Sequence, residues 1–372
     1  MMQRSTHSLE IVYDINATHA PFGRAGPARG EPFMTGAAIT PLHERWFVDN
    51  ARYPVQFDAI FTATTWIPVG IAAGITLLAA LAWRQRRGRA IVPGPIELGM
   101  SWENYTRLLS WMPLVIGLHA AVVLLVSGVS LRLFFPNLML PSNFLGAVLG
   151  LTEIAIGLSF LYGALTRLGA IALALAWVAG AIVFGPLQLV EHAELLGIAF
   201  FLFATGRGPL ALDMAMERLH RPIARLVPYA APALRVLTGL SIAVVAFTEK
   251  LWNLPMGLAF LADHPFNFFP ALGLPSIGDR EFLLIAGTVE LTLGLLLISG
   301  AFIRLLILII WVPFNLTLPL LGWRELVGHL PIYGIMVLLL VWGEERTRPE
   351  TALVHAVAER AGSGERLREE PA

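Results

Sequence analysis

Nine apolar stretches run through this chain, at about 61–83, 107–127, 143–163, 168–186, 189–205, 234–251, 281–300, 302–321 and 326–343. Each meets or approaches the ~20 residues that a helix needs to cross the hydrocarbon of a bilayer. Of 372 residues, 56% are hydrophobic and only 14% are charged, where soluble domains carry about 25% charge. Too little charge remains to cover a water-facing surface, so lipid must cover it. The expected class is an all-α integral membrane protein with nine transmembrane helices. A formal net charge of +0 gives no electrostatic footing for nucleic acid. The absence of cysteine excludes disulfides, thiolate metal sites and a dithiol redox centre. No phosphate-binding loop, zinc motif, haem motif or nucleophile elbow is present.

The N-terminus lacks the basic start and apolar run of a cleavable signal. Residues 1–33 are polar and Met34 opens a better-patterned stretch, so translation from Met34 is an alternative start. Short links at Gly163 to Arg167 and Gly300 to Arg304 force antiparallel neighbours. Orientation follows arginine placement. With the first span running outside to inside, 17 basic residues fall on inner segments and four (Arg132, Lys250, Arg280 and Arg324) on outer loops, with five more in the N-terminal tail. That predicts an N-terminus outside and a C-terminus in the cytoplasm, in a bacterial inner (plasma) membrane. Asp213 to Leu226 mixes apolar and basic positions, as an amphipathic helix on the inner surface would.

The two halves of the chain match each other. At a constant offset of 137, Gly150, Glu153, Gly157, Arg167, His192 and Gly197 align with Gly287, Glu290, Gly294, Arg304, His329 and Gly334. Upstream the offset falls to 128, which pairs Arg107 with Arg235 and His119 with Phe247. Each copy holds four spans, an even number, so both face the same way as parallel repeats. The span at 61–83 stands outside them.

The first copy reads Arg107, then EIAIGLSFLYGALTR over 153–167, then GRGPLALD over 206–213. The second reads Arg235, then ELTLGLLLISGAFIR over 290–304, and ends in WGEERTR without the closing turn. Each copy resembles a unit of the DoxX family, whose first helices often carry a lysine near the position of Lys250. The expected organisation is a polar N-terminal tail (1–57), a first span and linker (58–104), and one DoxX-like repeat (105–213). An amphipathic linker (214–232), a second repeat (233–345) and a cytoplasmic tail (346–372) follow. The subset resembling the DoxD subunit of thiosulfate:quinone oxidoreductase implies redox chemistry with quinone in the membrane. Other members resemble accessory subunits of membrane oxidoreductase complexes.

Ionisable groups deep in a bilayer cost several kcal/mol unless paired, which makes Glu153 and Glu290 the first candidate catalytic residues. Either carboxyl could tie helices together by a hydrogen bond or serve a substrate or proton. His119 is the third candidate, placed at the depth of Glu153, where a His–Glu pair could pass a proton to a quinone oxygen. Asn315 is the expected partner of Glu290, and the first copy is the expected seat of the more active pocket. His192 and His329 recur at the outer ends of the fifth and ninth spans. With Asn315 they are candidates for a quinone or substrate pocket, or they are polar residues at helix N-termini. Glu191 and Glu194 flank His192, but residues 191 and 192 face different ways, so no metal is expected. Lys250 is expected to snorkel to the interface. The loop 252–280, with Trp252, Phe266, Phe268 and Phe269, is expected to anchor at the interface or act as a lid. His43 and Glu44 make only a weak metal pair.

Three functional classes follow. The first is a component of a membrane oxidoreductase system that meets quinone and a soluble or membrane redox partner. The second is a small-solute transporter, against which Pro313 interrupts the eighth span while the fourth has no counterpart. The third is a structural or assembly subunit. Whether the chain is itself an enzyme is left open among them.

Overall fold

Apolar segments without water around them must satisfy their backbone internally, and a helix does so within one segment. The computed structural model describes residues 44–49, 52–216, 219 and 221–343, all within the unit that begins at Ala38. They form α1 (Ala63–Gln85), α2 (Trp102–Leu109), α3 (Met112–Val129), α4 (Phe144–Tyr162), α5 (Thr166–Phe184), α6 (Pro186–Val190) and α7 (Ala193–Thr205). Then come α8 (Val227–Val245), α9 (Leu254–Asp263), α10 (Asp279–Ser299), α11 (Ile303–Leu316), α12 (Leu318–Leu321) and α13 (Trp323–Trp342). The one sheet among the described residues is a hairpin of β1 (Arg132–Leu133) and β2 (Leu138–Met139).

Among the described residues, eight helical segments are long and apolar enough to cross a membrane: α1, Trp102–Val129, α4, α5, Val227–Leu251, α10, Ile303–Leu321 and α13. On α1, Trp66, Ile67, Leu77 and Leu78 all point outward. An apolar face of that kind belongs against lipid rather than water. The protein is a multi-pass helical membrane protein.

Two expected elements differ. The stretch 189–205 is broken at Glu191 and His192, leaving α6 and a 13-residue α7. At 1.5 Å per residue α7 reaches only about 20 Å, short of a hydrocarbon core of ~30 Å. The break follows from side chains that are buried at this point and turned to partners described below. Over 213–226 the described residues hold a 3-10 turn, Leu212–Ala215, and a helical Leu219, while residues 217, 218 and 220 of the expected amphipathic helix lie outside the described ones. There Asp213 is buried as a cap instead of lying on a surface.

Packing runs α3 on α4, α8 on α7 and α10, α13 on α3, and α1 along α10. Glycines permit the closest approaches. A methyl at Gly128 would lie 2.5 Å from the Gly150 carbonyl oxygen, and one at Gly239 2.7 Å from that of Gly294. Small residues serve this purpose wherever helices meet in lipid.

Several contacts recur 137 residues apart. Arg167 Nε donates to the Phe203 carbonyl and Arg304 Nε to the Leu340 carbonyl, both at 3.1 Å. Arg207 donates to the carbonyls of Phe160 (2.9 Å) and Leu161 (2.7 Å). Arg235 donates to those of Leu297 and Ile298. The residue that does Arg235's work in the first half is therefore Arg207. Arg107 instead pairs with Glu103 on the surface at 2.9 Å. Upstream, Gly157 faces Ala121 and Leu125, while Gly294 faces Gly239 and Ala243. This contact register is 118 rather than 128, and it sets His119 opposite Leu237 instead of Phe247.

Candidate functional site

Just after α8 the helix widens into a π turn, Ala246–Leu251. Such turns insert one residue and re-aim side chains, often at functional sites. Here Thr248, Glu249 and Lys250 all turn inward and are at most 1% exposed. Lys250 Nζ lies 3.1 Å from Glu290 Oε1 and 3.5 Å from Glu44 Oε1. The expected snorkelling of Lys250 is overturned, because two buried carboxylates hold the ammonium inside.

The roof of this chamber is a 3-10 turn from the N-terminal region, Glu44–Trp46, with all three residues buried. Glu249 Oε2 accepts from the backbone N–H of Glu44 (2.6 Å) and of Arg45 (3.4 Å). The Arg45 guanidinium reaches Glu191 at 2.8 Å and the Thr248 carbonyl at 3.2 Å. Trp46 lies with its ring centroid 4.7 Å from that of His329. Two glycines make room: a Cβ on Gly257 would meet Glu44 Oε2, and one on Gly328 would meet the Trp46 ring. Beyond Trp46, Glu325 accepts from Thr317 Oγ1 at 3.0 Å and lies 3.5 Å from His329 Nδ1. Burial pushes the Glu44 carboxyl up to about 7; Lys250 opposes the rise and Glu249 reinforces it.

Glu153, the counterpart of Glu290 by sequence, has quite different company. The β1–β2 hairpin folds into the bundle, so that Phe134 N–H donates to Glu153 Oε1 at 2.9 Å and Phe135 N–H to Ser127 Oγ at 2.7 Å. Glu153 Oε2 meets no donor among the described residues. The buried ion pairs thus gather around Lys250 and Glu290, with Glu44, Arg45 and Glu191, and not around Glu153. The sequence could not show that the hairpin fills one pocket while the Glu44–Trp46 turn enters the other.

The two expected pairs also dissolve. His119 does not meet Glu153; its Nδ1 sits 2.7 Å from the Val115 carbonyl, and its Cβ side lies against Gly334 of α13. Asn315 does not meet Glu290; its Nδ2 donates to the Trp311 carbonyl at 2.7 Å. Instead His119 and Asn315 line one groove of about 450 Å³, together with Tyr333 and apolar side chains that include Ile307, Leu308, Trp311 and Met336. A pair assigned to different copies comes together where α3 packs on α13.

His192 and His329 are both buried. His192 stands at the start of α7, 3.8 Å from Glu194, and its carbonyl accepts from Trp177 Nε1. Glu191 is committed to Arg45, and no set of three His, Asp or Glu residues suited to a metal occurs among the described residues. His43 lies outside them. In the loop 252–280, Phe266, Phe268 and Phe269 pack with Phe260, Phe282 and Phe47 into one cluster. Val48 of the N-terminal region packs on the same cluster. Arg45, Trp46 and Tyr333 were not expected to matter, whereas Glu249 and Glu325 were expected only as polar residues at the outer helix ends. The three-residue turn Glu44–Trp46 from a polar tail carries no periodic signal that would have disclosed Arg45 and Trp46.

Fold and site together define a helical multi-pass membrane protein with an ionic chamber at one end and an apolar groove beside it. No protein-family model, curated protein or solved structure matches the chain.

Proposed function

We propose that this chain is a component of a membrane oxidoreductase system and binds a quinone, in its quinol form, in the groove between α3, α11 and α13. One observation carries this reading: His119, Asn315 and Tyr333 line an otherwise apolar groove, and each presents an acceptor atom. A carbonyl can only accept, so the contact with Val115 puts the proton on His119 Nδ1 and leaves Nε2 as an acceptor. Asn315 spends one of its two amide hydrogens on the Trp311 carbonyl and keeps Oδ1 as an acceptor. Tyr333 donates to the Phe314 carbonyl at 2.9 Å, which leaves its oxygen lone pairs. Acceptors in an apolar setting suit a ligand with two hydroxyl donors and an isoprenoid tail. A neutral histidine can take one of the two protons that quinol oxidation releases, the second passing to solvent, while both electrons leave to an electron-accepting partner subunit.

In the same reading the chain is a leading span followed by two parallel four-helix units of the DoxX type. It crosses nine times, with the α6–α7 pair as one crossing, and the N-terminus is outside a bacterial inner membrane. The paired contacts of Arg167 with Arg304 and of Arg207 with Arg235 support the two units. The arginine distribution supports the orientation. A second reading, an assembly subunit, draws on Glu153, whose one hydrogen-bonded oxygen is spent inside the fold on Phe134.

The test is titration of the protein in nanodiscs with a short-tailed ubiquinol analogue. His119→Phe and Asn315→Leu should each weaken binding about tenfold or more, roughly 1.4 kcal/mol. Unchanged binding in both variants would sink the groove. No binding by the wild type, together with a stable co-purifying partner, would favour the assembly subunit.

A further inference from the structure

Quinol oxidation releases two protons, and His119 Nε2 takes only one. An asparagine amide is no base, so among the polar side chains of the groove the Tyr333 phenol is left to pass the second proton on. Its hydroxyl donates to the Phe314 carbonyl oxygen at 2.9 Å. Thr317 Oγ1 meets the same carbonyl oxygen at 3.3 Å. Thr317 sits at the joint between α11 and α12, fully buried, and its hydroxyl also donates to Glu325 Oε1 at 3.0 Å. Two hydroxyls thus converge on one carbonyl, and the second of them touches a carboxylate. Tyr333 and Glu325 stand on α13 about two turns apart, and both α11 and α12 pack on that helix.

Glu325 has the properties of a terminal acceptor. It is 0% exposed, and its Oε2 accepts no hydrogen bond among the described residues. Its ion-pair neighbour is His329, with Nδ1 at 3.5 Å. No lysine or arginine among the described residues pairs with it, so its charge as a carboxylate is one that a proton can cancel. The His329 ring in turn lies against Trp46 in the roof of the ionic chamber, which puts Glu325 on the border between groove and chamber.

We propose that Tyr333, Thr317 and Glu325 form a proton relay that carries the second quinol proton out of the groove, with Glu325 as its acceptor on the way to solvent. The relay rests on the quinol reading of the groove. The quinol hydroxyl gives its proton to the Tyr333 oxygen as its O–H bond breaks. The phenol proton moves to Thr317 Oγ1 through one bridging water, a link nearly as good as a direct hydrogen bond. The Thr317 proton then moves to Glu325. Each hydroxyl and the water lose one proton and gain one, so only the quinol and Glu325 change protonation state. Both electrons go to the electron-accepting partner, and the product is the quinone. Glu325 acts through Tyr333 and Thr317 and does not touch the quinol.

The test is infrared difference spectroscopy on the protein in nanodiscs. A short-tailed ubiquinol analogue is bound and then oxidised at an electrode that stands in for the partner, after its affinity for each variant has been measured by titration. On oxidation the wild type should gain a carboxylic-acid C=O band that shifts in D2O. Glu325→Gln, which keeps the acceptor for Thr317, should lose the band while binding the analogue as tightly as the wild type. Thr317→Val keeps the side-chain shape without the hydroxyl and should form the band at least about tenfold more slowly. Thr317→Ser should restore the rate. Bound quinol with no new band in the wild type, a band untouched by Glu325→Gln, or a wild-type rate in Thr317→Val would each overturn the relay and leave the groove standing. No binding of the analogue by the wild type would remove the groove and the relay together.

Discussion

Replacing Lys250 by methionine keeps the volume of its side chain and removes its charge. Lys250 is 0% exposed, and its nearest carboxylate oxygens are at 3.1 Å on Glu290 and 3.5 Å on Glu44. At an effective dielectric of ~20, each such pair is worth about 5 kcal/mol before the desolvation that offsets most of it. The net result of breaking a buried pair by removing one partner is a loss of ~3–5 kcal/mol, because the stranded charge stays inside. Lys250→Met should therefore destabilise by that amount. Adding Glu290→Leu should return ~2 kcal/mol of it, since an apolar replacement of both partners is nearly neutral. Glu44 would still lack its ammonium, so recovery should stop short of wild type. Reversible unfolding in mixed detergent micelles, followed by circular dichroism across the double-mutant cycle, measures all four states. A cost below about 1 kcal/mol for Lys250→Met, or additivity of the two changes within ~0.5 kcal/mol, would show that the ammonium reaches water and that the chamber is not closed.

The carboxyl of Glu44 has a folded-state pKa of about 7 against an ordinary value of 4.5. A raised carboxyl pKa favours folding fully below 4.5, and that contribution fades as pH rises through 7, by about 3 kcal/mol at most. Hydrogen-exchange protection factors over residues 44–49, corrected for the intrinsic exchange rate at each pH, should thus be higher at pH 5.5 than at pH 8.5, and Glu44→Gln should flatten the difference. Gly328→Ala should push a methyl into the Trp46 ring and cost ~1–3 kcal/mol as overpacking does, with exchange rising first in the same segment. Asp213→Ala strips the two N–H groups at α5 of their acceptor. It should lower stability by ~1–2 kcal/mol as lost caps do, read as a fall in melting temperature.

Much of the membrane architecture was legible because lipid enforces one rule along the whole chain, long apolar helices with few charges. The turns at Gly163 and Gly300 were legible too, since each pairs a left-handed glycine with an arginine that reaches back across the bundle. The α6–α7 break was not. Glu191 and His192 look like interfacial residues until Arg45 arrives from 146 positions away to bind the carboxylate. His119, Glu153, Glu290 and Asn315 stand out as polar groups in apolar helices, yet depth along a helix says nothing about rotation around it. Rotation decides partners: it turns His119 toward α13 and gives Glu153 to a hairpin. The register of α8 was misread because a charged residue, Arg107, looked like the better match, whereas the guanidinium in the equivalent place comes from the loop after α7.

The quinol groove is tested most directly by photo-crosslinking. An azido-quinone with a short tail is photolysed with the protein in nanodiscs, and the labelled peptides are sequenced by mass spectrometry. Labelling should concentrate on α11 and α13, at Leu308, Trp311 and Tyr333 or their neighbours, compete with unlabelled quinol, and fall sharply in His119→Phe. Labelling spread over lipid-facing α1, or labelling that His119→Phe and competitor leave unchanged, would contradict the assignment.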